Sequence, residues 1–194
     1  MNTVAATSSG AGYNLTCAKQ ACANALSKMK GVNWDQYRGH ASYETRTASP
    51  DFFDRNLYAE FGGIRGKYDS ACGQIKVERL KCIGRMAEQK GLGNCGEFAN
   101  SAFAHLSGKV RPLEVVHFPP GAGDHQFVII GRDQTSPLGD YTRWGVDAVI
   151  CDPWAQGFKN DPEYGAYPAS QFKDKMSAMV GQPSSSLVRI AGEL

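Results

Sequence analysis

The sequence predicts an α+β domain, with helices in its first half and an antiparallel sheet in its second. Apolar residues recur at helical spacing between residues 16 and 106, β-branched runs follow Arg111, and no internal repeat interrupts this order. With 194 residues, 42% of them hydrophobic, the chain can bury one substantial core. The expectation is a flexible arm over 1–15 and a single domain over 16–194.

The first element is "TCAKQACANALSKMK", residues 16–30, whose small apolar positions have helical period and which Gly31 stops. Residues 31–50 read as connection. A second, shorter helix is expected over "SPDFFDRNLYAEFGG", residues 49–63, with Ser49 as N-cap, Pro50 at the first helical position and a glycine pair at its end. Between Tyr68 and Gln89 a third helix presents Val77, Leu80, Ile83 and Ala87 on one face and a basic outer side. Gly84 opposes it locally, since an interior glycine costs about 1 kcal/mol against alanine.

"CGEFANSAFAHL", residues 95–106, makes a fourth helix with Phe98, Ala102, Phe103 and Leu106 on one stripe. The period then changes. "RPLEVVHF", "HQFVIIGR" and "DAVICD" are β-branched runs bounded by Gly, Pro and Asp, as in strands of a half-buried sheet. "ASQFKDKMSAMVG" reads as a late helix and "SLVRIAG" as a last strand.

Composition narrows the function. The balance of 21 Lys+Arg against 19 Asp+Glu, a net +2, gives neither a nucleic-acid footprint nor a surface drawn to membranes. No run approaches the ~18 apolar residues of a membrane span. The uncharged start "MNTVAATSSGAGYNLT" lacks the basic and apolar regions of a Sec signal, so a frayed arm is expected there. Six cysteines are then expected as reduced thiols. No Cys-x-x-Cys pair occurs and His40, His105, His117 and His125 are scattered singly, so neither a metal nor another cofactor is expected.

Three separated residues point to nucleophilic chemistry. Cys95 stands where a helix begins, and the unpaired N–H groups and dipole of a helix N-terminus favour a thiolate. Gly93 and Gly96 leave room for a carbonyl to approach, and the Cys95 N–H is a candidate oxyanion donor. A nucleophilic thiol needs an imidazole partner, and His125, at the entry of an apolar strand, is best placed. His105 lies too far along the helix that Cys95 opens, and His117 is the substitute. An imidazole in turn needs an orienting group. Asp152, closing a strand and followed by Pro153 and the shielding ring of Trp154, is ranked ahead of Asp147.

The order Cys, His, Asp in "GNCGE", "DHQFVIIGR" and "CDPW" resembles the papain-like cysteine hydrolases. In that family a cysteine opens the central helix, a histidine sits on a strand, and an Asn or Asp is followed two residues later by Trp. Gln89 stands six positions before Cys95, where the family carries the glutamine lining the oxyanion hole. The resemblance covers roughly residues 89–154. It implies a nucleophile-bearing central helix packed on an antiparallel sheet, Gln89 as oxyanion donor, and Asn94 and Trp154 in contact with substrate. Asp152 replaces the usual asparagine, the tryptophan after the cysteine is absent, and "RDQTSPLGDYTRWG" lengthens the link to the aspartate strand.

Small Cys-His-Asp domains of this kind resemble bacterial effectors and toxins, which include proteases, glutamine or asparagine deamidases and transglutaminases. The resemblance implies a protein substrate in a host cell, a monomer, and either a cytoplasmic location or a non-Sec route of secretion. The competing class is a non-enzymatic binding module using "HFPPGAGD" and the basic helix 75–90. Glu97, in the first turn beside Cys95, is expected to cap N–H groups, with contact to a substrate amide as the alternative. Unpaired, its charge would oppose thiolate formation.

Overall fold

A stripe of small residues lets the first helix sit close to its neighbours. In the computed structural model, which describes residues 10–32, 52, 58–118, 124–180 and 186–194, helix α1 spans Ala11–Lys28. It buries Cys17, Ala18, Ala21, Cys22 and Ala25. It starts at Ala11 rather than Thr16, because distant groups fix its first turn: Ala11 N donates to Asp147 Oδ1 and Asn14 Nδ2 to the Asp147 carbonyl. Residues 1–9 of the expected arm lie outside the described residues.

Strand β1, Lys30–Gly31, follows. Ser49 and Pro50, expected to open the second helix, lie outside the described residues. Helix α2, Tyr58–Arg65, runs through the Gly62–Gly63 pair instead of stopping there. The single turn α3, Tyr68–Ala71, leads through Gly73, at φ +61°, into α4, Lys76–Lys90. That reversal brings the Cα atoms of Cys72 and Cys82 to 5.4 Å, and the two form a disulfide. The expectation of reduced thiols is corrected for this pair, since the turn supplies the proximity. Cys17, Cys22, Cys95 and Cys151 are free.

Helix α4 buries Leu80, Ile83, Gly84 and Ala87, close to the predicted face. Gly84 has a packing reason: a Cβ there would lie 2.6 Å from the backbone of Asn100. Asn100 belongs to helix α5, Cys95–Leu106, whose Phe98, Ala102, Phe103 and Leu106 are fully buried. Between the two helices, strand β2, Leu92–Gly93, pairs in parallel with β1. The basic side of α4 is partly neutralised, Arg79 by Asp69 and Lys81 by Glu78 and Glu193.

The predicted strands appear as β3, Leu113–His117; β4, Gln126–Ile130; β5, Val149–Cys151; and a last strand, Val188–Glu193. Besides the two-residue strands β1 and β2, helix α6, Pro153–Lys159, and strand β6, Ala166–Pro168, escaped the periodicity. They are too short to carry a period. The last strand is therefore β7, and the sheet runs β6-β5-β4-β3-β7 with every neighbour antiparallel.

Alternation along β4 serves two cores. Val128 and Ile130 pack with Cys22, Ala99 and Phe103 under α1 and α5. Phe127 and Ile129 face Trp144, Phe172 and Met176, the last two from helix α7, Phe172–Val180. Each such fully buried large side chain is worth roughly 1.5–3 kcal/mol of transfer free energy, which clamps β4 between two layers. The rigid entry of β4 is where His125 sits. Among the described residues, no helix is long and apolar enough to cross a membrane.

Candidate active site

The mouth of α5 is a capping box built by its own sequence. Asn94, the N-cap, accepts a hydrogen bond from Gly96 N at 3.1 Å through Oδ1. Glu97 Oε2 accepts one from Asn94 N at 3.0 Å. This is the reciprocal arrangement that satisfies otherwise orphaned N–H groups, and it gives Glu97 the capping role expected of it. Cys95, partly buried, is the first helical residue, so its own N–H has no acceptor inside the helix.

Glu97 is not left as a bare charge. Arg65, at the end of α2, donates to it twice, from Nε at 2.9 Å and Nη2 at 3.0 Å. The Tyr68 hydroxyl donates at 3.4 Å. Burial, reinforced by the Glu97 charge, pushes the Tyr68 phenol far above its usual range, so it stays a neutral donor. Nothing local in the sequence foretells Arg65, which lies 32 positions from Glu97.

His125 approaches from the sheet. Asp124 adopts φ +42°, a left-handed turn that Asp tolerates, and its carbonyl faces the Cys95 sulfur at 4.0 Å. The next residue, His125, is 3% exposed and shares a hydrogen bond between Nε2 and Asp152 Oδ2 at 2.6 Å. The Cys95 side chain lies near enough to this ring to favour its charged form. Trp154 and Phe127 flank the ring at centroid distances of 5.5 and 6.0 Å.

Asp152 is completely buried and acts at two places. Its Oδ1 accepts the Ala155 N–H at 3.0 Å, capping α6, while Oδ2 holds the imidazole. Burial works against a charged His125 ring. The Asp152 charge and hydrogen bond, then the Cys95 contact, outweigh it and raise the histidine well above its ordinary value. The ring is therefore held in its charged form near the Cys95 side chain at the helix mouth.

The fold thus brings Cys95, His125 and Asp152 together from three elements. Asp147, the rival orienter, is instead tied to the start of α1. His117 lies on β3 opposite Gln126, and His105 contacts Lys109 toward the far end of α5. Trp154 is largely buried against the imidazole, the shielding position expected of it. Gln89 is exposed in the last turn of α4 and makes no hydrogen bond to the cluster among the described residues, so its oxyanion role rests on spacing.

Gln126, unassigned from sequence although it adjoins His125, ties the two halves together. Its Nε2 donates to Asn100 Oδ1 at 3.1 Å and approaches the Gly96 carbonyl at 3.4 Å. The strand carrying the imidazole is therefore bonded to the helix carrying the sulfur. Among the described residues, no group of three His, Cys, Asp or Glu side chains could hold a metal ion. No protein-family model and no curated protein matches the sequence.

Proposed function

We propose that this protein is a papain-like, cysteine-dependent hydrolase that acts on amide bonds of a protein substrate through a thioester. The observation that carries the reading is the buried His125–Asp152 pair beside Cys95 at the mouth of a helix. The Cys95 thiolate attacks the amide carbon, forming a C–S bond and moving the carbonyl electrons onto oxygen. That oxyanion is met by the Cys95 N–H, with Gln89 as second donor by the family resemblance. As the C–N bond breaks, His125 gives its proton to the leaving amine. Water then adds to the thioester with His125 as base, releasing a carboxylate and regenerating the thiolate.

The same steps release ammonia when the amide belongs to a glutamine or asparagine side chain, and an amine in place of water gives transglutamination. Peptide hydrolysis is the reading adopted, with a host protein as target and a non-Sec bacterial route as delivery. The Cys72–Cys82 disulfide supports passage through oxidising surroundings.

The test pairs reactivity with substrate turnover. Iodoacetamide should alkylate Cys95 selectively near neutral pH, and Cys95→Ala and His125→Ala should each abolish turnover with an unchanged far-UV circular dichroism spectrum. An active Cys95→Ala protein rejects the reading, and uniformly slow labelling of all free thiols favours a binding module. Mass spectrometry of the target separates the reactions, since hydrolysis gives fragments and deamidation an intact chain of slightly raised mass.

A further inference from the structure

Glu97 poses an electrostatic problem for a nucleophile. It is two residues from Cys95 in the same helical turn, and its carboxylate is bonded to the N–H of Asn94, immediately before the cysteine. With a side chain only 3% exposed, it has little water to screen it. A buried negative charge so close opposes a second one on sulfur. The capping box needs an acceptor at this position, but glutamine supplies one as well as glutamate.

We infer that Arg65 is a positioning residue for this site, whose forked pairing with Glu97 offsets the carboxylate and keeps the Cys95 thiolate favoured. The geometry is specific to arginine: two N–H groups, at 2.9 and 3.0 Å, meet the two carboxylate oxygens. The guanidinium also lies 4.8 Å over the Phe61 ring, which fixes its plane from below. Its Nη2 is 3.8 Å from where a Gly96 side chain would begin, so the cation reaches the residue after the nucleophile.

The titratable and charged groups at this mouth, among the described residues, come from every element packed there. Arg65 comes from α2, Tyr68 from α3, Glu97 from α5, Asp124 and His125 from the entry of β4, and Asp152 from behind the imidazole. Tyr68 is neutral, and Asp152 is engaged by the histidine ring. The Arg65–Glu97 pair is the ion pair built into the first turn of the nucleophile helix. The inference rests on Cys95 being the nucleophile.

The test is the pH dependence of Cys95 alkylation by iodoacetamide in the full chain, followed by peptide mass mapping. Arg65→Met exposes the thiol to an uncompensated carboxylate and should move the midpoint up. Glu97→Gln keeps the cap acceptor, leaves Arg65 positive, and should move it down. The double variant should return near the wild-type midpoint. A merely structural ion pair would lower thermal stability in both single variants without opposite shifts, and that result overturns the inference. Should Arg65→Met not fold, Glu97→Gln decides alone: an unchanged or raised midpoint overturns it. Wild-type Cys95 labelling no faster than the buried thiols instead rejects the nucleophile itself.

Discussion

Asp152 holds His125 with one carboxylate oxygen at 2.6 Å and caps the following helix with the other, through the Ala155 N–H. The orienting group of the candidate triad is thus locked by the backbone of α6. Substitution to asparagine separates its two duties, because Asn keeps an acceptor for the cap and loses the charge.

Asp152→Asn should leave the fold intact and move the basic limb of the pH–rate profile to lower pH. The sign follows from His125, which Asp152 raises above its ordinary value: without that charge, the ring loses its proton earlier. Turnover at neutral pH should fall by up to about four orders of magnitude, the scale seen when an orienting carboxylate is neutralised. A limb that does not move removes Asp152 from the role.

Stability should carry the same signature. The folded value of His125 is raised, so the stabilisation of the charged pair is fully present below the ordinary histidine value of about 6.5 and lost as pH rises through the folded value. Urea unfolding of wild type and Asp152→Asn should show their largest difference near about pH 6 and a shrinking one toward alkaline pH. A difference that grows with pH contradicts the assignment.

Gly84→Ala should destabilise the protein although alanine is the better helix former. An added Cβ meets the Asn100 backbone at 2.6 Å, and backbone cannot swing aside. Overpacking of this kind costs roughly 1–3 kcal/mol, against about 1 kcal/mol gained in propensity. Because the strained contact is in the nucleophile helix, Cys95 alkylation should slow as well. A stabilised variant would show that α4 and α5 separate freely.

Glu114→Gln tests the sheet's opposite end. Glu114, fully buried, accepts from Arg132 Nε at 2.7 Å and Nη2 at 3.1 Å, from Gln134 at 3.0 Å and from Arg189 at 3.2 Å. Burial opposes its charge, but the Arg132, Gln134 and Arg189 hydrogen bonds and the Arg132 charge prevail and hold it below the usual carboxylate range. Breaking the buried pair should cost roughly 3–5 kcal/mol. The wild-type contribution is present above the ordinary glutamate value and is lost as pH falls through the depressed one, which acid unfolding of the two proteins would reveal.

Gln89→Ala separates spacing from geometry at the oxyanion site. Loss of a donor there should reduce kcat by about 10²–10³ and leave Cys95 alkylation unchanged. Equal turnover would leave the Cys95 N–H as the donor without Gln89.

Much of this architecture was legible in order along the chain. The α4 and α5 faces, the strands β3, β4 and β5, and the capping role of Glu97 follow from period and residue type, because each depends on neighbours a few positions away; Asn94, expected to contact substrate, is the N-cap. Cys95, His125 and Asp152 could be singled out for the same reason: each sits at the end of a recognisable element.

What local pattern could not decide was which element ends meet. The choice of Asp152 over Asp147, the Arg65 partner of Glu97, the Gln126 bridge to Asn100 and the Cys72–Cys82 bond all join residues through the folded packing. Period and capping record only how a segment prefers to lie; the hydrogen bonds and charges that meet across the interior exist once burial has closed the sheet against its helices.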